Sequence, residues 1–319
     1  MPRHNCARAQ TSTEISQTAR PNEEQAKCCL IARCLIQQNY PWLTFTLPTR
    51  SLLSSRSHER LPSEIYFTMP ISYPEYSKDA EIASFFAKTS ATRSACDARA
   101  RELAGGSVVP IEVQGVCSYS VYAGPDLEFV VQFRLKSLYL KTETSILARQ
   151  IYGTLAPKVS FEGQIGDDID GKEPLYVYLM SRMRGITHLD FILAHGFPEN
   201  SQENFARRKN FMADVARFFA LSWKAPQEVD SAYRERLGQS YLKELRLLLD
   251  ALPARFHAII RNCITLMDAI LSLPMVLLHR DFGTCNIIVD ETSCRLAGVV
   301  DWAEAEVCPF GLNLHSLKL

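Results

Sequence analysis

The chain has 319 residues, of which 47% are hydrophobic and 10% aromatic, with 35 basic and 35 acidic side chains. A chain with this much apolar material and no net charge is not disordered, and it is long enough for one large domain or two lobes. The balanced charge argues against a dedicated nucleic-acid binder. The sequence contains no run of about 18 apolar residues, so it predicts no membrane span. Nothing in the sequence indicates an obligate protein partner.

The ten cysteines do not form a recognisable metal or redox motif. No two of them have the Cys-x-x-Cys spacing that is typical of zinc sites and thioredoxin-like proteins. A chain of this length does not need disulfides for stability, so we expect reduced cysteines and a cytoplasmic location.

Residues 1–60 differ from the rest of the chain in charge. They contain eight Lys or Arg, four Glu and no Asp, and the first aspartate of the chain is Asp79. A mitochondrial transit peptide has such an Arg-rich, acid-poor composition, and this location remains the alternative. No sustained amphipathic helix accompanies the arginines, however. We therefore predict a poorly ordered extension over residues 1–75.

The folded region is expected to begin near residue 80. Apolar spacing predicts a helix over residues 81–106, ending at a pair of glycines, and then the order strand, strand, helix, strand, strand up to residue 184. Helical patterns follow, and in the first of them five apolar residues are predicted on one face: Phe205, Met212, Val215, Phe218 and Phe219. These patterns predict an α+β fold with a small β-rich part followed by a mainly helical part.

The most informative segment covers residues 277–312. It contains His279 and Asp281, then Asn286 five residues later, and Asp301 at the end of an apolar run. Phosphoryl transfer needs these groups, because one carboxylate accepts the proton of an attacking hydroxyl while an amide oxygen and a second carboxylate hold Mg²⁺. Asp281 is therefore the predicted catalytic base, and Asn286 and Asp301 are the predicted metal ligands. His279 is grouped with the catalytic residues of this loop, but its expected role is mainly to brace the loop.

This segment resembles the aminoglycoside phosphotransferase and choline kinase group of the protein-kinase-like superfamily, and it is similar to fungal proteins of the phosphotransferase enzyme family. In that group the loop has the pattern H-x-D-x-x-x-x-N, and the metal carboxylate commonly precedes a tryptophan. Both features occur here, the second as Asp301-Trp302. The likeness extends back to about residue 84.

The resemblance implies a two-lobed, protein-kinase-like fold with an N-lobe over residues 80–180 and a C-lobe over residues 181–319. In the family, several further helices follow the metal carboxylate and build much of the acceptor site. This chain ends eighteen residues after Asp301. The C-lobe is therefore expected to be truncated at its C-terminus.

The resemblance also assigns a hairpin that covers the nucleotide phosphates. Gly115 would allow close backbone approach, with Ser118, Tyr119 and Ser120 at the tip of the hairpin. An ordinary β-turn is the alternative interpretation of the glycine.

The remaining nucleotide contacts are assigned in the same way. Arg134 would neutralise the α- and β-phosphates, although Lys136 and a register slip to Gln132 stay open as alternatives. Glu143, early in the next helix, would form an ion pair with this cation, unless it is an ordinary exposed glutamate.

The connector after the sheet, which contains Ser181 and Met183, would contact adenine, although its methionines could equally belong to the core. Together these residues predict an ATP- and Mg²⁺-dependent phosphotransferase that acts on a hydroxyl of a small molecule. A non-catalytic nucleotide-binding protein is the first alternative. A protein Ser/Thr kinase is the second, which is weakened because no Ala-Pro-Glu segment follows Asp301.

Overall fold

The structure is a computed structural model that describes residues 76–195 and 201–314. The extension predicted over residues 1–75 lies outside the described residues. The described chain divides into two units, of which one covers residues 236–267 and the other covers the rest. The boundary predicted between the lobes, at residues 180 and 181, lies inside the larger unit and stays a prediction.

The first part of the larger unit is an antiparallel sheet of five strands with helices before and within it. In chain order its elements are α1 (Lys78–Phe86), α2 (Arg93–Ala104), β1 (Ser107–Pro110), β2 (Ser118–Gly124), β3 (Phe129–Leu135), α3 (Thr142–Tyr152), β4 (Val159–Ile165) and β5 (Leu175–Ser181). The strands lie in the order β1-β2-β3-β5-β4. The predicted order strand, strand, helix, strand, strand corresponds to β2, β3, α3, β4 and β5, whereas the short strand β1 was not predicted as a separate element.

One face of this sheet forms a core with the first two helices. Val121 of β2 and Val131 and Phe133 of β3 are fully buried there, and they belong to one cluster with Phe85 of α1 and Cys96 of α2. Because side chains alternate along a strand, the intervening residues of β2 and β3 project from the opposite face. That second face carries the polar residues discussed below.

The prediction of one helix over residues 81–106 is wrong in one respect, because two helices form there. Thr92 begins the second helix, and its hydroxyl accepts a hydrogen bond from the backbone N–H of Ala95 at 3.3 Å. A threonine in this position supplies an acceptor to a helix N-terminus that would otherwise lack one. The predicted end at Gly105 is confirmed, and its φ of 69° is one that glycine adopts readily.

The second part of the larger unit is mainly helical, with short strands around the catalytic loop. The remaining elements of the chain are β6 (Ile186–Thr187), α4 (His188–His195), α5 (Gln202–Trp223), α6 (Ser231–Ala251), α7 (His257–Thr265), α8 (Met267–Leu271), β7 (Met275–Leu278), β8 (Ile287–Val289), β9 (Leu296–Val299) and β10 (Glu306–Pro309). The strands form two small antiparallel sheets, β10-β7 and β6-β8-β9. The predicted α+β class is confirmed: an antiparallel sheet comes first and a mainly helical region follows.

Helix α5 buries a stripe that differs from the predicted one. The buried residues repeat at helical spacing and are Phe211, Val215, Phe218, Phe219 and Ser222. Phe205 and Met212 were predicted on this face but are exposed, with 64% and 39% of their surface accessible. Phe205 lies six residues before Phe211, and Met212 lies one residue after it. Neither spacing brings a side chain back to the same face of a helix.

The smaller unit, residues 236–267, consists of helical segments with a core of its own. Leu248, Phe256 and Ile260 are buried together in this unit. Partly buried leucine and isoleucine side chains of the same unit surround them.

Candidate active site

The loop over residues 279–286 connects two buried strands, β7 and β8. His279, its first residue, is only 1% exposed, and its Nε2–H donates a hydrogen bond to the carbonyl oxygen of Val300 at 2.7 Å. Burial lowers the pKa of His279, so the ring is neutral and acts as a donor. His279 is therefore held inside the loop, and its role in bracing the loop stays a prediction.

Asp281 and Asn286 are joined directly. The side-chain Nδ2 of Asn286 donates to the backbone carbonyl and to the carboxylate of Asp281, each at 2.9 Å. Both amide hydrogens are thus used, which leaves the Oδ1 of Asn286 as a donor atom for a cation. Asp281 is exposed, so its carboxylate can meet a molecule from solution.

The hairpin of β8 and β9 brings Asp301 beside this pair. Ile287 pairs with Val299, and the backbone N–H of Val300 then donates to the carbonyl of Asn286 at 2.9 Å. Asp301 comes next, exposed and in the left-handed conformation with φ 60° and ψ 65°. Aspartate and asparagine tolerate this conformation better than most residues. Within the described chain its carboxylate accepts no hydrogen bond from another group.

Five buried aromatic side chains pack together beside the loop and the hairpin. We call them the aromatic cluster: Tyr152, Phe218, His279, Phe282 and Trp302. Trp302 is buried directly after Asp301, and its ring lies 4.8 Å from that of His279. Phe282 stacks on Phe218 at 5.1 Å. The residue that follows each of the two aspartates is therefore a buried aromatic anchor, which fixes the backbone from which the carboxylates project.

Helix α3 joins the aromatic cluster through its last residue. The ring of Tyr152 stacks on Phe218 at a centroid distance of 4.2 Å, and its hydroxyl donates to the carbonyl of Leu277 at 2.7 Å. Leu277 belongs to β7, the strand that leads into the catalytic loop. Helix α3, which lies between β3 and β4 in the chain, is thus tied to the strand that precedes the loop of Asp281.

The connector after β5 crosses the same hairpin. Its Met183 packs over Gly298 of β9, where a Cβ atom would lie only 2.1 Å from the methionine methyl carbon. Gly185, with φ 127°, lets the connector pass close to the carbonyl of Val289. The hydroxyl of Ser181 accepts a hydrogen bond from the backbone N–H of Lys158 at 2.9 Å, and the predicted contact of this connector with adenine stays a prediction. Met183 therefore packs on Gly298, which precedes Asp301 by three residues in the chain, while the side chain of Ser181 bonds to the backbone at the start of β4.

Arg134 lies on the second face of the N-terminal sheet and is only 8% exposed. Its Nε donates to the carbonyl of Leu138 at 2.8 Å, and its Nη1 donates to the side-chain oxygen of Gln132 at 3.3 Å. The amide nitrogen of Gln132 is within 3.3 Å of the hydroxyls of Ser118 and Ser120. All these acceptors are neutral, so within the described chain the buried guanidinium has no counter-ion.

The residues considered for the phosphate-binding position, Arg134, Lys136 and Gln132, lie in different surroundings. Lys136 is exposed and lies beyond the end of β3, whereas Gln132 supports Arg134 on the same face. Glu143 is exposed at the start of α3, and no ion pair between it and Arg134 is present among the described residues. A buried cation without a counter-ion is energetically costly, and an anion bound beside it would relieve this cost.

The predicted phosphate-covering hairpin differs from the structure in its tip. Ser118, Tyr119 and Ser120 lie within β2 rather than in the turn, and Tyr119 projects into the opposite core, where its hydroxyl donates to Asp97 at 2.7 Å. Gly115 is exposed in the connection before β2, and an added Cβ would meet only the Ser118 hydroxyl at 3.6 Å. The backbone alone therefore does not require glycine there.

Sequence reasoning missed the residue that orders this connection. Gln114 is 6% exposed, and its amide bonds to the backbone N–H and carbonyl of Ser120, each at 2.9 Å, and to the carbonyl of Ile111 at 2.7 Å. Only a pattern linking residues six apart could have indicated it, and no such motif is recognisable in one sequence.

Among the described residues, two kinds of feature are absent: a metal site formed by protein side chains alone and a membrane-spanning helix. No group of three or more His, Cys, Asp or Glu side chains could hold a metal by itself. The donor set of Asn286 and Asp301 instead fits Mg²⁺, which is commonly held by one or two protein ligands together with substrate phosphates and water. In the same part of the chain, no helix is long and apolar enough to cross a membrane.

Comparison with solved structures finds similar folds at low identity. The GDP complex of a mutant aminoglycoside 2'-phosphotransferase IIIa is 12% identical with a TM-score of 0.39, and the match covers 63% of this chain and 67% of that one. For an aminoglycoside phosphotransferase of Streptomyces rimosus with ADP and streptomycin, the values are 13%, 0.38, 64% and 74%. For a glucosamine kinase with glucosamine, ADP and inorganic phosphate they are 16%, 0.38, 64% and 51%.

The family comparison is more specific. No match was found among curated proteins. The model of the phosphotransferase enzyme family matches residues 143–312, which is more than half of the chain. This range contains the catalytic loop, the β8–β9 hairpin and α3, which carries the predicted partner of the phosphate-binding cation. The chain therefore belongs to the phosphotransferase enzyme family.

Proposed function

We propose that the protein transfers the γ-phosphoryl group of ATP to a hydroxyl group of a small molecule. The observation that carries this proposal is the arrangement of Asp281, Asn286 and Asp301. The exposed carboxylate of Asp281 is held by the Asn286 amide, whose oxygen accepts no hydrogen bond within the described residues, and the backbone bond from Val300 to Asn286 brings the next residue, the exposed Asp301, close to this pair in the fold.

Asp281 is the proposed general base. Its carboxylate orients the acceptor hydroxyl and accepts the proton as the oxygen attacks phosphorus. The hydrogen bond from Asn286 holds the carboxylate in one orientation, and the neutral His279 supports the loop without competing for the proton. Proton transfer is thus assigned to Asp281, the exposed aspartate of the loop.

Asn286 and Asp301 are the proposed ligands of Mg²⁺. The ion, when bound, neutralises charge on the nucleotide phosphates and so stabilises the transition state. The Oδ1 of Asn286 and the carboxylate of Asp301, which accept no hydrogen bond from the described residues, supply hard oxygen donors of the type that this ion prefers.

Arg134 and the connector are the proposed contacts to the nucleotide itself. The buried guanidinium of Arg134 has no counter-ion among the residues that the structure describes, which supports a role in binding the phosphates. Ser118 and Ser120 are retained in this group, because they support Arg134 through Gln132. Met183 is retained for contact with adenine, since it lies over the hairpin that leads to Asp301. Tyr119 is omitted because its side chain lies in the opposite core.

A non-catalytic nucleotide-binding protein is the second candidate. It is favoured by one observation: Glu143 does not pair with Arg134, although that pair was expected to orient the cation in an active site. Such a protein would bind nucleotide and show no transfer.

The experiment measures binding and transfer separately on the full chain. Titration calorimetry with ATP, with and without Mg²⁺, tests nucleotide binding. Release of ADP in the presence of a panel of polyhydroxylated molecules and amino alcohols then tests transfer. Binding that requires Mg²⁺, together with acceptor-dependent ADP release that Asp281→Asn abolishes, supports the proposal. Binding without any transfer supports the second candidate, and the lack of Mg·ATP binding contradicts both.

A further inference from the structure

Tyr76, the first residue that the structure describes, contacts the connection between β1 and β2. Its hydroxyl accepts a hydrogen bond from the backbone N–H of Gln114 at 2.6 Å and donates one to the backbone carbonyl of Glu112 at 3.2 Å. The family model matches from residue 143 onward, so this contact lies outside the matched range. One side chain that precedes α1 thus holds the backbone of a connection within the sheet.

Gln114 is held from two directions. Its backbone N–H bonds to Tyr76, while its buried side-chain amide bonds to the backbone N–H and carbonyl of Ser120, each at 2.9 Å. A buried amide whose oxygen and nitrogen both have partners leaves little freedom to the backbone that carries it. The connection is therefore fixed to β2 on one side and to Tyr76 on the other.

Strand β2 links this connection to the proposed phosphate-binding cation. The hydroxyl of Ser120 lies 3.3 Å from the amide nitrogen of Gln132, and the amide oxygen of Gln132 accepts a hydrogen bond from Arg134 at 3.3 Å. A polar network of this kind is rigid when each member has its partners. A continuous series of contacts therefore runs from Tyr76 to Arg134.

A second contact to the same connection comes from Lys78. Its Nζ lies 2.8 Å from the carboxylate of Glu112, whose side chain is 82% exposed. Water and salt screen such an ion pair, which usually contributes little. The pair therefore offers a comparison for Tyr76, because its removal loosens the same connection far less.

We propose that Tyr76 is a positioning residue for nucleotide binding, which fixes residues 111–117 and, through Gln114 and β2, the orientation of Arg134. It acts through the backbone of the connection and touches neither substrate nor metal. The part of this proposal that concerns the nucleotide rests on the proposed function. The contact between Tyr76 and the connection does not depend on it.

The first measurement is hydrogen–deuterium exchange at the amide of Gln114, in the full chain. Tyr76→Phe keeps the ring and removes only the hydroxyl that this amide binds, so we expect exchange to be at least fivefold faster. For Lys78→Met we expect a change of less than twofold. Exchange in β3 should stay unchanged in both variants, which separates a local release of the connection from a general loss of stability.

The matched control is Tyr233→Phe. The hydroxyl of Tyr233 also donates to a backbone carbonyl, that of Val307 at 2.8 Å, but it lies on α6. We expect this variant to leave both the exchange at Gln114 and the affinity for Mg·ATP within twofold of the parent.

The second measurement compares nucleotide binding with turnover. For Tyr76→Phe we expect the Kd for Mg·ATP to rise three- to tenfold while kcat changes less than twofold, because Arg134 contacts the phosphates in the ground state and the transition state alike. Gln114→Leu should raise this Kd at least as much. Adding Tyr76→Phe to Gln114→Leu should then have less than a twofold further effect, because the link to β2 is already lost.

Three results would overturn the proposal. These are unchanged exchange at Gln114 in Tyr76→Phe, unchanged Mg·ATP affinity in that variant, and losses of affinity that multiply fully in the double variant. If the parent itself does not bind Mg·ATP, the proposed function fails, and the role of Tyr76 in nucleotide binding fails with it. If the parent binds Mg·ATP and Tyr76→Phe binds it equally well, only the role of Tyr76 fails.

Discussion

Replacing each of the two site aspartates by asparagine should separate metal binding from proton transfer. Asp301 has φ 60°, so Asp301→Asn keeps a residue type that tolerates this backbone, whereas alanine would add strain. The variant removes one negative charge from the proposed metal site. Loss of a charge-assisted contact costs about 1–3 kcal/mol. Because Asp301 is exposed and water screens its charge, we expect about 1–2 kcal/mol, or about 5- to 30-fold weaker Mg·ATP binding.

Asp281→Asn is expected to behave differently. The new amide oxygen can still accept the hydrogen bond from Asn286, so the loop keeps its geometry. A base that acts on the acceptor contributes mainly in the transition state. We therefore expect Mg·ATP affinity within about twofold of the parent, while turnover falls by about 10²- to 10⁴-fold, the usual contribution of a general base.

The assay is titration of the full-length parent and both variants with ATP, with and without Mg²⁺, together with thermal melting. Asp168→Asn is the matched control, because Asp168 is an exposed aspartate in the loop between β4 and β5. Equal losses of Mg·ATP affinity in Asp281→Asn and Asp301→Asn would refute the assignment of roles. So would a loss in Asp301→Asn that persists without Mg²⁺, since a metal ligand acts only through the metal.

Two further predictions concern stability. Tyr152→Phe removes the only side-chain donor that the described chain provides to the Leu277 carbonyl, so unfolding in denaturant should show a loss of about 1–3 kcal/mol; an unchanged midpoint would contradict this. His188 is stacked on Phe211, and burial lowers its pKa to about 4. The unfolded state therefore takes up the proton first as the pH falls below about 6.5, and stability declines down to pH 4 by up to roughly 3 kcal/mol. His188→Leu should make this decline shallower, and equal slopes in parent and variant would show that His188 does not cause it.

The catalytic loop could be predicted from sequence because its chemistry depends on residue types at short spacings. His279, Asp281 and Asn286 lie within eight residues, and two short apolar runs before Asp301 indicated the hairpin. The pairing of Val300 with Asn286 agrees with that expectation. The class of fold followed from the order of the same local patterns, since strand and helix periods differ.

Other features depend on contacts between residues far apart in sequence. The sequence did not predict on which face of the sheet Tyr119 lies. Side chains alternate along β2, which begins at Ser118, so a shift of one residue would move Tyr119 from the core to the opposite face. The break between α1 and α2 was missed because apolar spacing continues across Thr92, which acts as a cap. The acidic partner expected for Arg134 was also an inference from family pattern, and the structure provides neutral acceptors instead.

Sequence alone was enough to predict the candidate site, because the two aspartates and Asn286 need only a loop and a hairpin to come together. Tertiary structure decided how they are held. His279 is held by the carbonyl of Val300, which lies 21 residues later in the chain, and α3 reaches β7 through Tyr152, 125 residues before Leu277. A single sequence shows local periodicity, whereas the pairing of a buried donor with a distant acceptor is set by packing of the whole chain.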